Sequence, residues 1–133
     1  MRYMLLVYSK ETDLANMTPA QREEITSAHW AVMDATAESG IFRGAEPLKP
    51  TSTATTVRVQ NGKPLILDGP FAETKEQLAG YYILDCKDLD EAIHWAAKIP
   101  TSCQGGAGCI EIRPIQEIPQ PGKTEFHEKA RAS

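Results

Sequence analysis

The sequence lacks the cysteine pattern of a disulfide-rich, redox or zinc protein. Its three cysteines, Cys86, Cys103 and Cys109, are odd in number and include no C-x₂-C pair. We therefore expect free thiols in a reducing cytoplasm. A Cys103–Cys109 disulfide is the minor alternative.

The chain also lacks a long apolar segment. The longest apolar run, residues 3–8, is far too short to cross a membrane. Only Arg2 provides positive charge before this run, and no small-residue cleavage site follows it, so the N-terminus is predicted to be a strand and not a signal peptide. We expect a cytoplasmic protein with no membrane partner.

An excess of positive charge is missing as well. The chain has 14 Lys and Arg against 18 Asp and Glu, giving a net charge of −4. No basic cluster offsets this balance, which argues against a nucleic-acid partner. The histidines and cysteines have no metal-ligand spacing, and no Gly-x-Ser-x-Gly or phosphate-loop sequence occurs. We predict no metal and no cofactor.

What is present suits one globular domain. The 133 residues are 41% hydrophobic and 24% charged, which is enough for a core without disulfides. We place the domain at residues 1–118. Residues 119–133 are polar and punctuated by proline and glycine, and are predicted to form a tail.

The first half of the domain shows a strand and then a helix. Residues 2–8 are apolar at both alternating sets of positions, which predicts that both faces of this strand are covered. Residues 9–17 are predicted to be a polar loop. Thr18, followed by Pro at the next position and Gln three residues later, starts a helix that Gly40 ends. Its predicted buried stripe is Ile25, Ala28, Val32, Met33 and Thr36.

Turn and cap signals place the remaining elements. Asn61-Gly62 is a preferred two-residue turn, so residues 55–59 and 65–67 are predicted to form a hairpin. Asp88, with Glu three residues later, caps a second helix that Pro100 stops. Its predicted stripe is Leu89, Ala92, Ile93, Ala96 and Ala97. Further strands are predicted at residues 41–48, 80–86 and 109–115.

This order predicts an α+β fold of the ferredoxin-like βαββαβ type with an extra central hairpin. The helices cover one face of such a sheet and leave the other face open. Because the first strand is apolar on both sides, we expect this face to meet a second copy and form a homodimer with packed sheets. We expect a small cavity between the layers, lined by Tyr8, Tyr81 or Tyr82, Glu111 and Arg113.

The charged segment 68–77 is too long for a tight hairpin and is predicted to form the rim of a pocket. Asp68 either takes part in the site or accepts backbone N–H groups of the following turn. Glu73 and Lys75 either orient a ligand or form a weak surface ion pair. Glu111 and Arg113 could bind a ligand or form a salt-bridged dimer seam, and we favour the dimer seam.

With the motif Asp68-Gly69-Pro70-Phe71, the chain resembles the DGPF branch of the YCII-related family over roughly residues 2–117. The resemblance implies a dimeric α/β barrel of ferredoxin-like protomers, related in fold to muconolactone isomerases. It also implies a bacterial cytoplasmic protein, in some cases encoded beside a sigma factor. Further matching stretches are residues 2–6, 54–58, 72–78, 80–82, 88–92 and 110–114.

The resemblance further implies an acid–base dyad of a helical His and an Asp. His29 occupies the matching helix position, and we assign the acid to Asp68. A carboxylate fixes the tautomer of such an imidazole, whose other nitrogen then exchanges a proton near neutral pH. The alternative, which is the more common role, is a histidine at the edge of the core bonded to a backbone carbonyl.

Two classes of function remain open. The first is a cofactor-independent enzyme of the isomerase, lyase or dehydratase type that acts on an unknown small molecule. Its predicted ligand-binding residues are Tyr8, Glu73, Lys75, Tyr81 and Arg113. The second is a non-catalytic ligand-binding or accessory module associated with a sigma-factor regulatory system.

Overall fold

The computed structural model describes residues 1–101 and 107–119. Loop residues 102–106, including Cys103 of the disulfide alternative, and nearly all of the predicted tail lie outside the described residues. A single 3₁₀ turn, Thr51–Thr53, precedes the third strand. The other elements are β1 (Arg2–Ser9), α1 (Glu11–Ala15), α2 (Pro19–Glu38), β2 (Phe42–Pro47), β3 (Thr55–Gln60), β4 (Lys63–Asp68), β5 (Gln77–Asp85), α3 (Leu89–Ala96) and β6 (Gly108–Pro114).

Four of the strands form one antiparallel sheet in the order β2-β5-β1-β6. Strand β1 lies between β5 and β6, where Leu5 is opposite both Tyr82 and Ile112. Strands β3 and β4 form a separate two-stranded sheet, which turns at Asn61 and Gly62 with φ values of 52° and 75°. The antiparallel α+β architecture confirms the predicted class and fits a ferredoxin-like protomer.

Burial alternates along β1. Tyr3, Leu5, Val7 and Ser9 are buried, whereas the residues between them are half-buried. The buried set shares its face with Tyr82 of β5 and packs with α2 and α3 residues in the core. Within one chain, the helices therefore cover one face of the sheet. The opposite face, with Met4, Leu6 and Tyr8, is half-buried within one chain.

Helix α2 begins and ends as predicted. The Thr18 hydroxyl accepts from the Gln21 N–H at 3.2 Å, and the Gln21 side chain accepts from the Thr18 N–H at 2.9 Å. This reciprocal pair satisfies two N–H groups that have no partner within the helix. Gly40 follows the helix with φ of 75°, a conformation that glycine adopts without a Cβ clash. Val32 and Thr36 of the predicted stripe are buried.

The predicted loop at residues 9–17 was wrong in part, because it contains α1. This single helical turn is fastened by partners distant in sequence. The Glu11 carboxylate accepts from the Thr51 backbone N–H at 2.7 Å and from its hydroxyl at 2.9 Å. The Glu11 N–H donates to the Gln77 side chain at 2.9 Å. A five-residue helix is marginal by itself, so these contacts stabilise it.

The predicted buried face of α3 was wrong in part. Leu89 and Ile93 are 50% and 49% exposed, whereas Ala92 is fully buried. Ala96 of the predicted stripe packs against the core, and Trp95, which was not in the stripe, packs there as well. The large Trp95 ring gains more by burial than the smaller side chains of Leu89 and Ile93. No helix in the described part of the chain is long and apolar enough to cross a membrane.

Candidate functional site

A pocket of about 440 Å³ lies between α2 and the sheet. Helix α2 contributes one wall through Ile25, His29 and Met33. The other walls come from the ends of β1, β2 and β5, together with Leu14 of α1 and Thr101. This volume falls in the range of small-molecule sites, roughly 300–1,000 Å³.

Gly80 lets β2 and β5 approach each other closely at the pocket wall. A Cβ at this position would lie 2.7 Å from the backbone oxygen of Glu46 and 3.2 Å from the Cα of Pro47. Both neighbours are backbone atoms, which cannot turn aside as a flexible side chain could. Any larger residue at position 80 therefore pushes the two strands apart.

The main polar feature of the pocket is the contact between His29 and Tyr82. Nδ1 of His29 lies 2.6 Å from the Tyr82 hydroxyl oxygen, which is a short hydrogen bond. The two rings are stacked, with centroids 6.0 Å apart and planes 20° apart. Tyr82 is 2% exposed, so its hydroxyl has almost no access to water. The contact fixes the orientation of the imidazole at the pocket wall.

Both partners are uncharged at neutral pH. Burial lowers the pKa of His29 below its usual value of 6.5, because the imidazolium loses hydration. Burial also raises the pKa of Tyr82 to about 12, so the phenol keeps its proton. The pair therefore joins a neutral imidazole to a neutral phenol, and both members can give or accept a proton.

Ser9 is the other buried polar side chain of the pocket. It is 1% exposed, and its hydroxyl donates to the backbone carbonyl of Thr101. The hydroxyl proton is thus engaged by a backbone acceptor, and no histidine contacts it. This arrangement suits a structural hydrogen bond between β1 and the segment before β6 better than a nucleophile.

Two of the predicted site residues, His29 and Tyr81, are among those that line this pocket. Tyr81 pairs with Leu6, so its side chain lies on the opposite face of the sheet and only its backbone borders the pocket. Asp68, Glu73 and Lys75 are exposed and are not among the residues that line it. Within one chain the hydrogen-bond partner of His29 is thus Tyr82 and not Asp68, and it is a side chain and not a backbone carbonyl. The catalytic role of Asp68 and the ligand-binding roles of Glu73 and Lys75 stay predictions.

Tyr8 and Arg113 lie on the opposite side of the sheet. Tyr8 alternates with the buried residues of β1, and Arg113 pairs with Met4, which belongs to the same half-buried set as Tyr8. The cavity expected between two sheets would lie on this face, whereas the observed pocket lies on the helix side. Any binding role for these two residues therefore involves a different surface.

The turn after β4 is fastened to the hairpin. The Gly69 N–H donates to the Ala54 carbonyl at 2.7 Å, and the Thr56 hydroxyl donates to the Gly69 carbonyl at 2.8 Å. Gly69 has a φ of 99°, which explains glycine at this position. Phe71 is 77% exposed. Glycine at this turn is thus explained by the geometry of the hairpin.

Sequence reasoning named Tyr82 only as an alternative to Tyr81 and gave Trp30 no site role. One signal for Tyr82 was available, since it lies two residues from Leu84 and so shares the buried face of β5. Trp30 is 60% exposed at the pocket although it lies on α2 next to His29. An exposed tryptophan beside a pocket is a candidate ligand contact.

Other chemistries find little support in the described residues. Among residues 1–101 and 107–119, no three His, Cys, Asp or Glu side chains are grouped so that they could hold a metal ion. Cys86 is a buried free thiol and Cys109 an exposed one.

Comparison with known proteins identifies the family. An uncharacterised protein of Rhizobium meliloti (strain 1021) is 35% identical over 123 residues, covering 92% of this chain and 98% of that protein. The family model of the YCII-related domain matches residues 1–119, which include every residue of the pocket. The chain belongs to the YCII-related domain family.

Proposed function

We propose that this protein binds a small molecule in the α2 pocket and that His29 exchanges a proton with it. The observation that carries this proposal is the neutral imidazole, held by Tyr82, in the wall of a largely apolar cavity of about 440 Å³. A histidine that stays neutral at pH 7 can act as a general base or as a hydrogen-bond donor. The reaction class is a cofactor-independent isomerisation, elimination or dehydration.

The Tyr82 hydroxyl serves the purpose expected of Asp68. It engages Nδ1 and so leaves Nε2 as the second nitrogen of the ring. A carboxylate in this position would instead favour the imidazolium. Tyrosine keeps the ring neutral, which suits a site without a permanent ion pair. In the proposed step Nε2–H gives its proton to the substrate while Nδ1 takes the Tyr82 hydroxyl proton, and a proton returned by the substrate restores the pair.

We also propose that the protein is a homodimer formed through the sheet face opposite the helices. By strand register, Leu6 lies opposite Tyr81, and Met4 lies opposite Ile83. With Tyr8, these residues form a half-buried apolar stripe along the centre of the sheet. A second sheet packed against this stripe would complete the burial of β1 on both faces and produce the dimeric barrel.

The function is tested by replacing His29 with Gln, which removes the titrating group and keeps a neutral polar side chain. The matched control is His94→Gln, because His94 is exposed on α3 and is not among the residues lining the pocket. Native mass spectrometry of the purified protein identifies a retained small molecule, and NMR follows its conversion. We expect the wild type and His94→Gln to convert it and His29→Gln to fold but not convert it.

The outcome separates the two function classes. A molecule that is retained but never converted by the wild type would identify a ligand-binding module, as in the second class expected from the sequence. A His29→Gln variant that converts the molecule at the wild-type rate would refute the proposed role of the imidazole. Loss of more than about 2 kcal/mol of stability in that variant would mark His29 as a packing residue.

A further inference from the structure

We propose that the α2 pocket takes an uncharged, mainly apolar molecule that presents a carbonyl or a similar hydrogen-bond acceptor to Nε2 of His29. This inference rests on the proposed function of the same pocket and names its class of ligand. Three features of the described residues support it: the direction of the His29–Tyr82 hydrogen bond, the charges around the pocket and the character of its walls.

The first feature determines which ring nitrogen carries the proton. A phenol O–H is a more acidic donor than the N–H of a neutral imidazole, and imidazole nitrogen is the better acceptor of the two groups. The 2.6 Å contact is therefore an O–H···N bond in which Tyr82 donates to Nδ1. The imidazole proton then resides on Nε2, which is left to act as a donor. A ligand that meets this N–H must supply an acceptor.

The second feature is the absence of positive charge among the described lining residues, which include neither Lys nor Arg. Glu46, on β2, is the acidic residue among those that line the pocket, but it pairs with Tyr81 and its side chain therefore lies on the other face of the sheet. A carboxylate or phosphate entering the pocket would lose its hydration without gaining a cation. The pocket therefore discriminates against anions.

A guanidinium in the adjoining cleft belongs to Arg22. It donates to the Leu14 carbonyl at 3.1 Å, and it lines a neighbouring cleft of about 460 Å³ together with Glu11. Leu14 separates the two cavities, since it lines both. Arg22 is thus directed to the other cleft, and an anionic ligand in the α2 pocket would have to draw it away from its carbonyl partner.

The third feature is the apolar character of the walls. Val7, Leu14, Ile25 and Met33 surround the cavity and offer no hydrogen bonds from their side chains. Burial of an apolar ligand body against them is favourable by about 25 cal/mol for each Å² removed from water. A molecule with one acceptor and a hydrocarbon body matches this distribution, whereas a sugar or a nucleotide would leave many polar groups unpaired.

The test uses three probes of one shape: 1-indanone, indane and indane-1-carboxylate. They share the bicyclic hydrocarbon body and differ in carrying a neutral acceptor, no polar group or a negative charge. Binding is measured by NMR titration of the ¹⁵N-labelled protein, observing the ring nitrogens of His29. In the wild type without a probe, we expect the ¹⁵N spectrum to show the proton on Nε2.

We expect 1-indanone to bind and to shift the Nε2–H resonance. Indane should bind about five- to tenfold more weakly, since one hydrogen bond is worth about 1 kcal/mol. Indane-1-carboxylate should not bind at the concentration at which 1-indanone saturates. Tyr82→Phe removes the hydroxyl that keeps the ring proton on Nε2. This variant should therefore bind 1-indanone only as tightly as the wild type binds indane. Tyr3→Phe, which removes the hydroxyl of a core tyrosine outside the pocket, should leave all three affinities unchanged.

Each contrary result has its own meaning. Equal affinity for indane and 1-indanone, or a wild-type spectrum with the proton on Nδ1, would overturn the acceptor inference while the pocket remained a binding site. Tight binding of the carboxylate, lost in Arg22→Gln, would overturn the uncharged class and assign the pocket to anions. If no probe perturbs any pocket resonance, the proposed function fails together with this inference.

Discussion

The hydrogen bond between His29 and Tyr82 should appear as a coupling energy between the two side chains. The perturbation is a double-mutant cycle that combines Tyr82→Phe with His29→Leu. Removing the Tyr82 hydroxyl takes away one hydrogen bond, worth about 1 kcal/mol net, and leaves Nδ1 without its partner. Because His29 is only half-buried, water can reach part of the ring and limits the additional penalty.

We therefore expect each single variant to lose about 1 to 2 kcal/mol of unfolding free energy. The double variant should lose about 1 kcal/mol less than the sum, because the second substitution removes an interaction that is already broken. For a chain of this size, each kcal/mol corresponds to a shift in Tm of roughly 3 to 5 °C.

The assay is urea unfolding at one fixed protein concentration, since dimerisation would make stability depend on concentration. Tyr3→Phe serves as the control, because Tyr3 is 5% exposed and lies outside the pocket. Its combination with His29→Leu should be additive. Additivity within about 0.3 kcal/mol for the Tyr82 cycle would show that the short contact contributes no net stability and would refute the reasoning.

Two further predictions test the sheet. Leu6→Asp places a charge in the apolar stripe and should turn the proposed dimer into a monomer, as measured by light scattering. The control Ile93→Asp, on the exposed side of α3, should leave the dimer intact. A monomeric wild type would disprove the interface. Gly80→Ala should cost about 1 to 3 kcal/mol in urea unfolding, because its Cβ would meet a backbone oxygen at 2.7 Å. A Cβ at Gly44 would have no neighbour within 4 Å, so Gly44→Ala should cost much less stability than Gly80→Ala. Equal losses of stability in the two variants would count against the steric explanation.

Much of the fold could be predicted because its signals are local. The Thr18 capping box and the Asp88 cap depend on side chains that bond to the N–H group three residues later. The turn at Asn61-Gly62 needs two consecutive residues with positive φ, and those residue types adopt it readily. Such contacts lie within one turn of chain, so the sequence window that encodes them also displays them.

One helix, α1, and the buried face of another, α3, escaped prediction because they depend on distant contacts. Helix α1 is fastened by a carboxylate that bonds to Thr51, 40 positions further along the chain. On α3, the apolar residues Leu89 and Ile93 compete with Trp95 for the core, and the periodicity of the sequence fits either face. Only the space left by the sheet and by α2 decides which side chains pack.

The candidate site was likewise predictable only where its position depends on local sequence. The helical spacing of α2 predicts that His29 faces the interior, because it lies four residues after Ile25 and four before Met33, and residues at this spacing share a helix face. The hydrogen-bond partner of His29 could not be predicted from local spacing. Asp68 lies 39 positions away along the chain and Tyr82 lies 53 away, and sequence distance gives no preference for the nearer one.

By itself, the sequence determined the order of the strands and of the two longer helices, the caps, the turn and the inward-facing side of α2, since each depends on neighbours within a few residues. The pairing of His29 with Tyr82, the position of the pocket on the helix side of the sheet and the exposure of Asp68 were decided only by the tertiary structure. They depend on the register of β5 beside β1 and on how α2 crosses both strands. These are long-range choices made by the packing of the whole domain.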